Sequence, residues 1–229
     1  MPKARSAADP LRVVVLISGS GSNLQALIDA QCTDSPYRIA AVISNVDGAF
    51  GLERARRAGI PAEVLSHRDF PDRGAFDQAL AALIDRFEPG LVVLAGFMRI
   101  LTPQFVSRYA GRMMNIHPSL LPRFRGLHTH QRALDAGETE HGASVHFVTK
   151  ELDGGPVIVQ ARVPVLTGDD ADTLAARVLT QEHRIYPAAV RLFADGRLRL
   201  GANGRPLLDG SALEHPLGLD AAGRPTPAA

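Results

Sequence analysis

Short, almost wholly apolar runs alternate along the first half of the chain with segments whose apolar residues recur every three or four positions. Runs rich in Val, Leu and Ile are typical of strands buried on both faces of a parallel sheet. The helical spacing predicts helices that bury one face. We predict strands at residues 11–17, 39–44, 63–65 and 91–95, and helices at residues 24–30, 50–58 and 74–87. This alternation predicts an α/β fold, a doubly wound, mostly parallel sheet with helices on both faces.

In the second half of the chain, turn residues separate strands that follow one another directly. Residues 142–148 and 157–163 are predicted strands joined by a Gly-Gly-Pro turn, which favours an antiparallel strand or hairpin near the C-terminus. Three other elements are predicted: a strand at 113–117, a helix capped by Thr129 that runs to Ala136, and a long helix from Asp170 to about Phe193. We expect a disordered tail at residues 1–10, one domain at residues 11–201 and a loose extension at residues 202–229.

The strand at residues 113–117 carries two polar side chains on one face. Side chains alternate along a strand, so Asn115 and His117 point the same way, just before Pro118 ends the run. An amide can donate to a developing oxyanion, and an imidazole can carry a proton near neutral pH. From this stretch alone, a turn-capping Asn115 and an ordinary surface His117 remain the favoured interpretation.

A glycine-rich turn, Ser18-Gly-Ser-Gly-Ser-Asn23, links the first predicted strand to the first predicted helix. This arrangement offers backbone N–H groups and a helix N-terminus to an anion. No Gly-Lys-Ser/Thr follows, and Leu24 stands where a dinucleotide fingerprint has its third glycine. The pattern therefore favours a single phosphate over a pyrophosphate, with a tight turn that binds no ligand as the alternative.

Two further loops carry candidate chemistry. Residues 96–101, Gly-Phe-Met-Arg-Ile-Leu, form an apolar loop with one arginine, suited either to holding a flat ring and a carboxylate or to packing its own core. Asp153, in a turn rich in glycine, can reach a histidine from elsewhere in the fold, although a turn Asp is more often structural. Three histidines at positions 128, 130 and 141 lack the partners and spacing of a metal site, so no metal is expected.

Composition narrows the class of partner. The chain has 45% hydrophobic and 21% charged residues and a formal net charge of +1, which gives no reason to expect nucleic acid or a membrane surface. Its one cysteine, Cys32, suits a reducing compartment, so we expect a cytoplasmic protein. The first ten residues lack the apolar region of a signal peptide, and no apolar stretch approaches the length of a membrane helix.

Taken together, these segments closely resemble the phosphoribosylglycinamide formyltransferase family, folate-dependent enzymes of purine synthesis with a Rossmann-like fold. The resemblance covers residues 12–200 approximately. Its motifs are Ile17-Ser-Gly-Ser-Gly-Ser-Asn-Leu-Gln25, Ala95-Gly-Phe-Met-Arg-Ile-Leu101, Asn115-Ile-His-Pro-Ser-Leu-Leu-Pro122, Gly126-Leu-His-Thr-His130, His141-Gly-Ala-Ser-Val-His146, Glu151-Leu-Asp-Gly-Gly-Pro156 and Gln181-Glu-His-Arg-Ile-Tyr-Pro187. The Asn-x-His-Pro-Ser motif marks the wider superfamily, and the glycine-rich opening narrows it to this family.

The resemblance implies a role for each motif. It implies transfer of the formyl group of 10-formyltetrahydrofolate to the amine of glycinamide ribonucleotide, without a metal. The implied catalytic residues are Asn115, His117 and Asp153. The residues implied to bind the ribonucleotide are Gly21, Ser22, Asn23 and Glu182, and those implied to bind the folate are Arg73, Met98, Arg99, Ile100, Leu101 and Asn115. The expected protein is a monomer or a homodimer that acts on small molecules.

Three other functions share parts of this pattern. A formyltransferase for initiator tRNA would need an RNA-binding domain and a basic surface, which a chain of 229 residues with a net charge of +1 is not expected to have. A formyltetrahydrofolate hydrolase would need a regulatory domain before the glycine-rich turn, for which we expect no room. A phosphate-binding module without catalysis would not need Asn115, His117 and Asp153 together.

Overall fold

The strands predicted from the apolar runs form the centre of one large sheet. The structure is a computed structural model, and it describes residues 9–227. The strands of this part of the chain are β1 (Leu11–Ile17), β2 (Tyr37–Ser44), β3 (Ala62–Val64), β4 (Leu91–Leu94), β5 (Met113–His117), β6 (Glu140–Phe147), β7 (Val157–Pro164), β8 (Leu198–Leu200), β9 (Pro206–Leu208), β10 (Ser211–Ala212), β11 (Leu217–Leu219) and β12 (Pro225–Pro227). Strands β8, β9 and β10 form a small antiparallel sheet, and the others form the large one.

The order of the strands reverses at β1, which is the usual place for a ligand in a sheet of this kind. Across the large sheet the order is β12-β11-β7-β6-β5-β4-β1-β2-β3. Strands β1 to β5 run parallel, whereas β6 is antiparallel to both β5 and β7. The chain winds to one side of β1 through β2 and β3, and then crosses to the other side through β4. Ligands in such sheets bind at the carboxyl ends of the strands where the winding reverses. The predicted fold class is confirmed.

Helices cover both faces of the sheet. They are α1 (Ser22–Asp29), α2 (Phe50–Arg57), α3 (Arg73–Asp85), α4 (Pro103–Arg108), α5 (Thr129–Asp135) and α6 (Ala171–Ala194). Alternate residues of β1 enter two different cores: Val13 and Val15 pack in one, and Val14 and Leu16 pack in the other. Because both faces of β1 are buried, its sequence is apolar throughout instead of alternating.

The long helix α6 is fixed to the strands that carry the site. The buried Tyr186 hydroxyl lies 2.8 Å from the carbonyl oxygen of Leu94 in β4 and 3.1 Å from that of Met114 in β5. Glu182 lies one helical turn before Tyr186, on the same face of α6. The contact of Tyr186 with the sheet therefore sets the position of Glu182.

The structure corrects two local predictions. Thr129 is the first residue of α5, and the N-cap is His128, which has a left-handed backbone and makes no side-chain capping bond. Instead of a loose extension at residues 202–229, the structure places four short strands, β9 to β12, between residues 206 and 227. Leu217 is buried and pairs with Val159 at the edge of β7, which explains why this segment is ordered in strands. Residues 1–8 of the predicted tail and residues 228–229 lie outside the described residues.

Candidate active site

The glycine-rich turn after β1 lines a small cavity at the reversal point of the sheet. Helix α1 begins at Ser22, and its N-cap Gly21 has a φ of 70° and no side chain with which to cap it. The first N–H groups of α1 therefore lack partners in the helix, and the helix dipole favours an anion beside them. The cavity has a volume of about 220 Å³ and is lined by Ser18, Gly19, Ser20, Gly21, Ser22, Asn23, Ala95, Gly96 and Met98.

Asn23 lies differently from the expectation that its side chain would supply a donor to the phosphate. Its Nδ2 donates to Oε2 of Glu182 at 2.6 Å, and both side chains are buried. Burial raises the pKa of Glu182, and the hydrogen bond from Asn23 opposes that effect. The turn therefore offers mainly backbone donors, while the pair ties α1 to α6 beside the turn.

The loop at residues 96–101 exposes some of its apolar side chains and packs others toward the core. Met98 and Ile100 are more than half exposed, at 65% and 57%, and Leu101 packs partly into the core. The guanidinium carbon of Arg99 lies 5.3 Å from the centre of the Phe76 ring. The Nε of Arg99 is buried and makes no hydrogen bond with any described residue. The loop thus combines apolar side chains at the surface with a donor that lacks an acceptor.

Two contacts of Ser18 hold this loop against the glycine-rich turn. The backbone N–H of Ser18 donates to the carbonyl oxygen of Gly96 at 3.0 Å. Its Oγ accepts a hydrogen bond from the N–H of Met98 at 2.8 Å and donates to Oδ1 of Asn45 at 2.5 Å.

Arg73, the second arginine predicted to bind the folate, is exposed at the start of α3.

Asn115, His117 and Asp153 form the polar centre of the site. In register across the sheet, Asn115 pairs with Leu94 and Leu94 pairs with Leu16, which places the end of β5 about 10 Å from β1. Oδ2 of Asp153 lies 3.4 Å from Nδ1 of His117, and both side chains are less than a tenth exposed. Asn115 is on the same face of β5 as His117.

Both ring nitrogens of His117 face acceptors. Nε2 lies 2.9 Å from the carbonyl oxygen of Phe124, and Nδ1 faces the carboxylate of Asp153. An imidazolium donates from both ring nitrogens, so it would satisfy both acceptors. At 3.4 Å the contact with Asp153 is longer than a normal N–H···O bond, which leaves the Nδ1 proton available to a second acceptor.

Asp153 is held by the backbone of its turn. It has a φ of 48°, and its Oδ2 accepts a hydrogen bond from the N–H of Gly126 at 2.9 Å. Gly155 packs so tightly against the carbonyl of Phe147 that any Cβ there would collide with it. The glycine therefore fixes the turn to β6, and the turn carries the carboxylate to His117.

His146 completes a chain of contacts that the sequence did not predict. Its Nε2 lies 3.2 Å from Nδ2 of Asn115 and 3.8 Å from Oδ1 of Asp153. Burial lowers the pKa of His146. A neutral ring can donate from Nδ1 to the carbonyl oxygen of Phe147, 3.0 Å away, and accept from Asn115 at Nε2. His146 therefore orients the Asn115 amide. The only sign of this role is the pairing of Asn115 with His146 between β5 and β6, which can be found only once the register of the two strands is known.

Comparisons with known proteins show which family the chain belongs to. A family model described as "Formyl transferase" matches residues 11–190, which is more than half of the chain. The chain belongs to the formyl transferase family. Its sequence is 58% identical to a phosphoribosylglycinamide formyltransferase of Escherichia coli strain K12 over 205 residues, which cover 89% of this chain and 96% of that relative.

Solved structures and longer relatives extend the comparison. The fold is similar to that of the phosphoribosylglycinamide formyltransferase of Coxiella burnetii, with a TM-score of 0.85 and 53% identity over 90% of this chain and 96% of that one. A trifunctional purine biosynthetic protein of Homo sapiens is 49% identical over 85% of this chain, but the match covers only 19% of that protein. In that protein the matching region is one part of a longer chain.

Two other features bear on the class of protein. No group of three or more His, Cys, Asp or Glu side chains within residues 9–227 has a geometry that would hold a metal ion. Over the same residues, no helix has both the length and the apolar character needed to cross a membrane.

Proposed function

We propose that this chain transfers the formyl group of 10-formyltetrahydrofolate to the glycine amine of N1-(5-phospho-D-ribosyl)glycinamide. The products are formylglycinamide ribonucleotide and tetrahydrofolate, in the synthesis of purines. The observation that carries the proposal is the line of contacts from Asn115 through His146 and Asp153 to His117, two strands from a turn suited to one phosphate. Relatives at 58% and 48% identity bear the name of this enzyme.

In this proposal the glycine-rich turn holds the phosphate of the ribonucleotide. The backbone N–H groups of Gly21, Ser22 and Asn23 lie at the start of α1, where the helix dipole adds to their attraction for an anion. Glu182, one side of which is bonded to Asn23, contributes its remaining carboxylate oxygen to the hydroxyl groups of the ribonucleotide. One phosphate fits because the turn lacks the third glycine of a pyrophosphate site.

The folate occupies the neighbouring loop in this proposal. Met98, Ile100 and Leu101 offer apolar contacts to a flat ring, and Asn115 adds a polar contact near the formyl group. The buried Nε of Arg99, which lacks an acceptor among the described residues, fits a carboxylate of the glutamate-bearing end. Arg73, exposed at the start of α3, adds positive charge at that end.

The proposed chemistry needs an oxyanion stabiliser and a route for one proton. As the substrate amine attacks the formyl carbon, the amide of Asn115 and the imidazolium of His117 stabilise the oxygen that becomes negative. The Asp153 carboxylate, 3.4 Å from Nδ1 of His117, holds the ring in place. The attacking nitrogen loses a proton and the leaving nitrogen of the folate gains one, either through His117 or through a water held by Asp153. Transfer is direct, because no side chain is needed as a nucleophile.

The proposed enzyme acts on small molecules, not on nucleic acid, and works in the cytoplasm as a monomer or a homodimer. A chain whose single cysteine, Cys32, is free and exposed suits a reducing compartment.

An absorbance assay of folate deformylation tests the proposal. We expect rapid release of tetrahydrofolate when glycinamide ribonucleotide is present, and almost none when it is absent. His117→Ala should abolish the release of tetrahydrofolate that depends on glycinamide ribonucleotide. His215 is an exposed histidine near the C-terminal strands, so His215→Ala should leave that rate unchanged. Equal rates with and without the ribonucleotide would indicate a hydrolase and would contradict the proposal.

A further inference from the structure

Helix α2 packs directly against the glycine-rich turn. The N–H of Gly51 donates to the carbonyl oxygen of Gly19 at 3.0 Å, and Nε of Arg54 donates to that of Ser20 at 2.9 Å. A Cβ on Gly21 would lie 2.6 Å from Cα of Gly51, so the two backbones are in direct contact. Two consecutive carbonyl groups of the turn are thus bound to α2.

These two hydrogen bonds determine the direction of the turn's N–H groups. In a trans peptide, the C=O of one residue and the N–H of the next point to opposite sides. The carbonyl groups of Gly19 and Ser20 point to α2, so the N–H groups of Ser20 and Gly21 point away from it. The cavity beside the turn is lined by these residues. The contacts with α2 therefore present two amide donors to whatever anion enters the cavity.

The side chain of Arg54 is itself held in place. Its NH1 donates to Oε1 of Gln25 in α1 at 3.1 Å, and its guanidinium carbon lies 4.9 Å from the centre of the Phe50 ring. Phe50 is 49% exposed, so the ring serves as a support for Arg54 more than as part of the core. These two partners, Gln25 and Phe50, hold the guanidinium where it meets the carbonyl of Ser20.

We propose that Arg54 is a positioning residue for the phosphate-binding turn. The inference rests on the proposed function, since it assigns the phosphate of the ribonucleotide to this turn. Without Arg54 the peptide between Ser20 and Gly21 loses its bond to α2 and can rotate, so its N–H is no longer held toward the cavity. Affinity for the phosphate-bearing substrate should fall, while the folate site, built on residues 96–101 and on β5, keeps its geometry.

Steady-state kinetics of Arg54→Met test this role. We expect the KM for glycinamide ribonucleotide to rise about tenfold, as for loss of a hydrogen bond from a charged donor, with kcat and the KM for the folate within about twofold of the parent. Arg57→Met is the matched control, because Arg57 lies on the same helix, pairs with Glu53 and sits 6.0 Å from the same Phe50 ring. Since the two variants lose the same charge, an electrostatic effect of net charge would appear in both.

Binding of ribose 5-phosphate, followed by NMR of the amides of the turn, keeps this test separate from the proposed function. A parent protein that fails to transfer formyl groups would refute the proposed function, but a tenfold weaker binding of ribose 5-phosphate by Arg54→Met would still support the role of Arg54. Equal weakening of both substrates, a similar effect in Arg57→Met, or an unchanged affinity in Arg54→Met would each overturn it. Arg54→Gln serves as a second variant if Arg54→Met unfolds.

Discussion

A pair of packed histidines, of which His141 is buried, should make the stability of the fold depend on pH. His141 in β6 is 1% exposed, so its ring is almost wholly removed from solvent. Its ring packs edge-on against His130, with the ring centres 5.2 Å apart. Burial first, and then the charge of His130, lower the pKa of His141 to about 4 from its ordinary value of 6.5.

The sign and size of the effect follow from this shift. The folded state binds a proton on His141 less tightly than the unfolded state, so protonation favours unfolding. The contribution of neutral His141 to the free energy of unfolding is present above pH 6.5 and is lost as the pH falls from 6.5 toward about 4. At about 1.4 kcal/mol for each unit of pKa, the full loss from His141 alone is roughly 3–3.5 kcal/mol, and roughly 2–3 kcal/mol of it falls between pH 7.5 and 4.5. Burial also lowers the pKa of His130, which adds a loss in the same direction.

Urea unfolding of the parent and of His141→Gln at pH 7.5, 6.5, 5.5 and 4.5 measures this effect. Glutamine keeps a polar side chain but does not titrate, so its free energy of unfolding should fall less with pH, and the two curves should converge by roughly 2–3 kcal/mol across the range. His215→Gln, an exposed control, should follow the parent curve. Parallel curves for the parent and His141→Gln would show that His141 does not cause the loss of stability at low pH.

Four further substitutions test the site. His117→Ala should lower kcat about 100- to 10,000-fold with an unchanged circular dichroism spectrum, and near-normal kcat in the folded variant would exclude the catalytic role. Asp153→Asn should lower kcat while leaving both KM values within about threefold, and a larger change in KM than in kcat would assign Asp153 to binding. Burial raises the pKa of Glu182, so its charge destabilises the fold above pH 4.5. Glu182→Gln should therefore raise the free energy of unfolding at pH 7.5 but not at pH 4. The same substitution should weaken the binding of the ribonucleotide. Gly21→Val must adopt a φ of 70° and would meet Gly51, so calorimetry should show at least about tenfold weaker binding of the ribonucleotide than of the folate relative to the parent; equal weakening would contradict the assignment of the phosphate to this turn.

The parts of the site that follow local rules could be predicted from the sequence. The apolar run of β1 indicated a strand buried on both faces, and the two cores on either side of it explain that pattern. The alternation of side chains placed Asn115 and His117 on one face of β5, and the structure gives β5 the predicted bounds. Period and turn chemistry are local, so a single sequence contains them.

Contacts between distant parts of the chain could not be predicted in this way. The bond between Asn23 and Glu182 joins residues that are 159 positions apart, and it depends on the packing of α1 against α6. The contact of His146 with Asn115 depends on the register of β6 against β5. Leu217 looked like part of a loose extension because its segment is rich in Gly and Pro, but the open edge of β7 gives it a partner.

The proposed reaction is tested most directly by following the formyl group itself. With 10-formyltetrahydrofolate labelled with carbon-13 in the formyl group, the parent protein and glycinamide ribonucleotide are mixed, and the products are followed by NMR. We expect the label to appear in the amide of formylglycinamide ribonucleotide in a one-to-one ratio with tetrahydrofolate, and His117→Ala to form almost none. Label that appears as free formate, or label that stays on the folate with the parent protein, would contradict it.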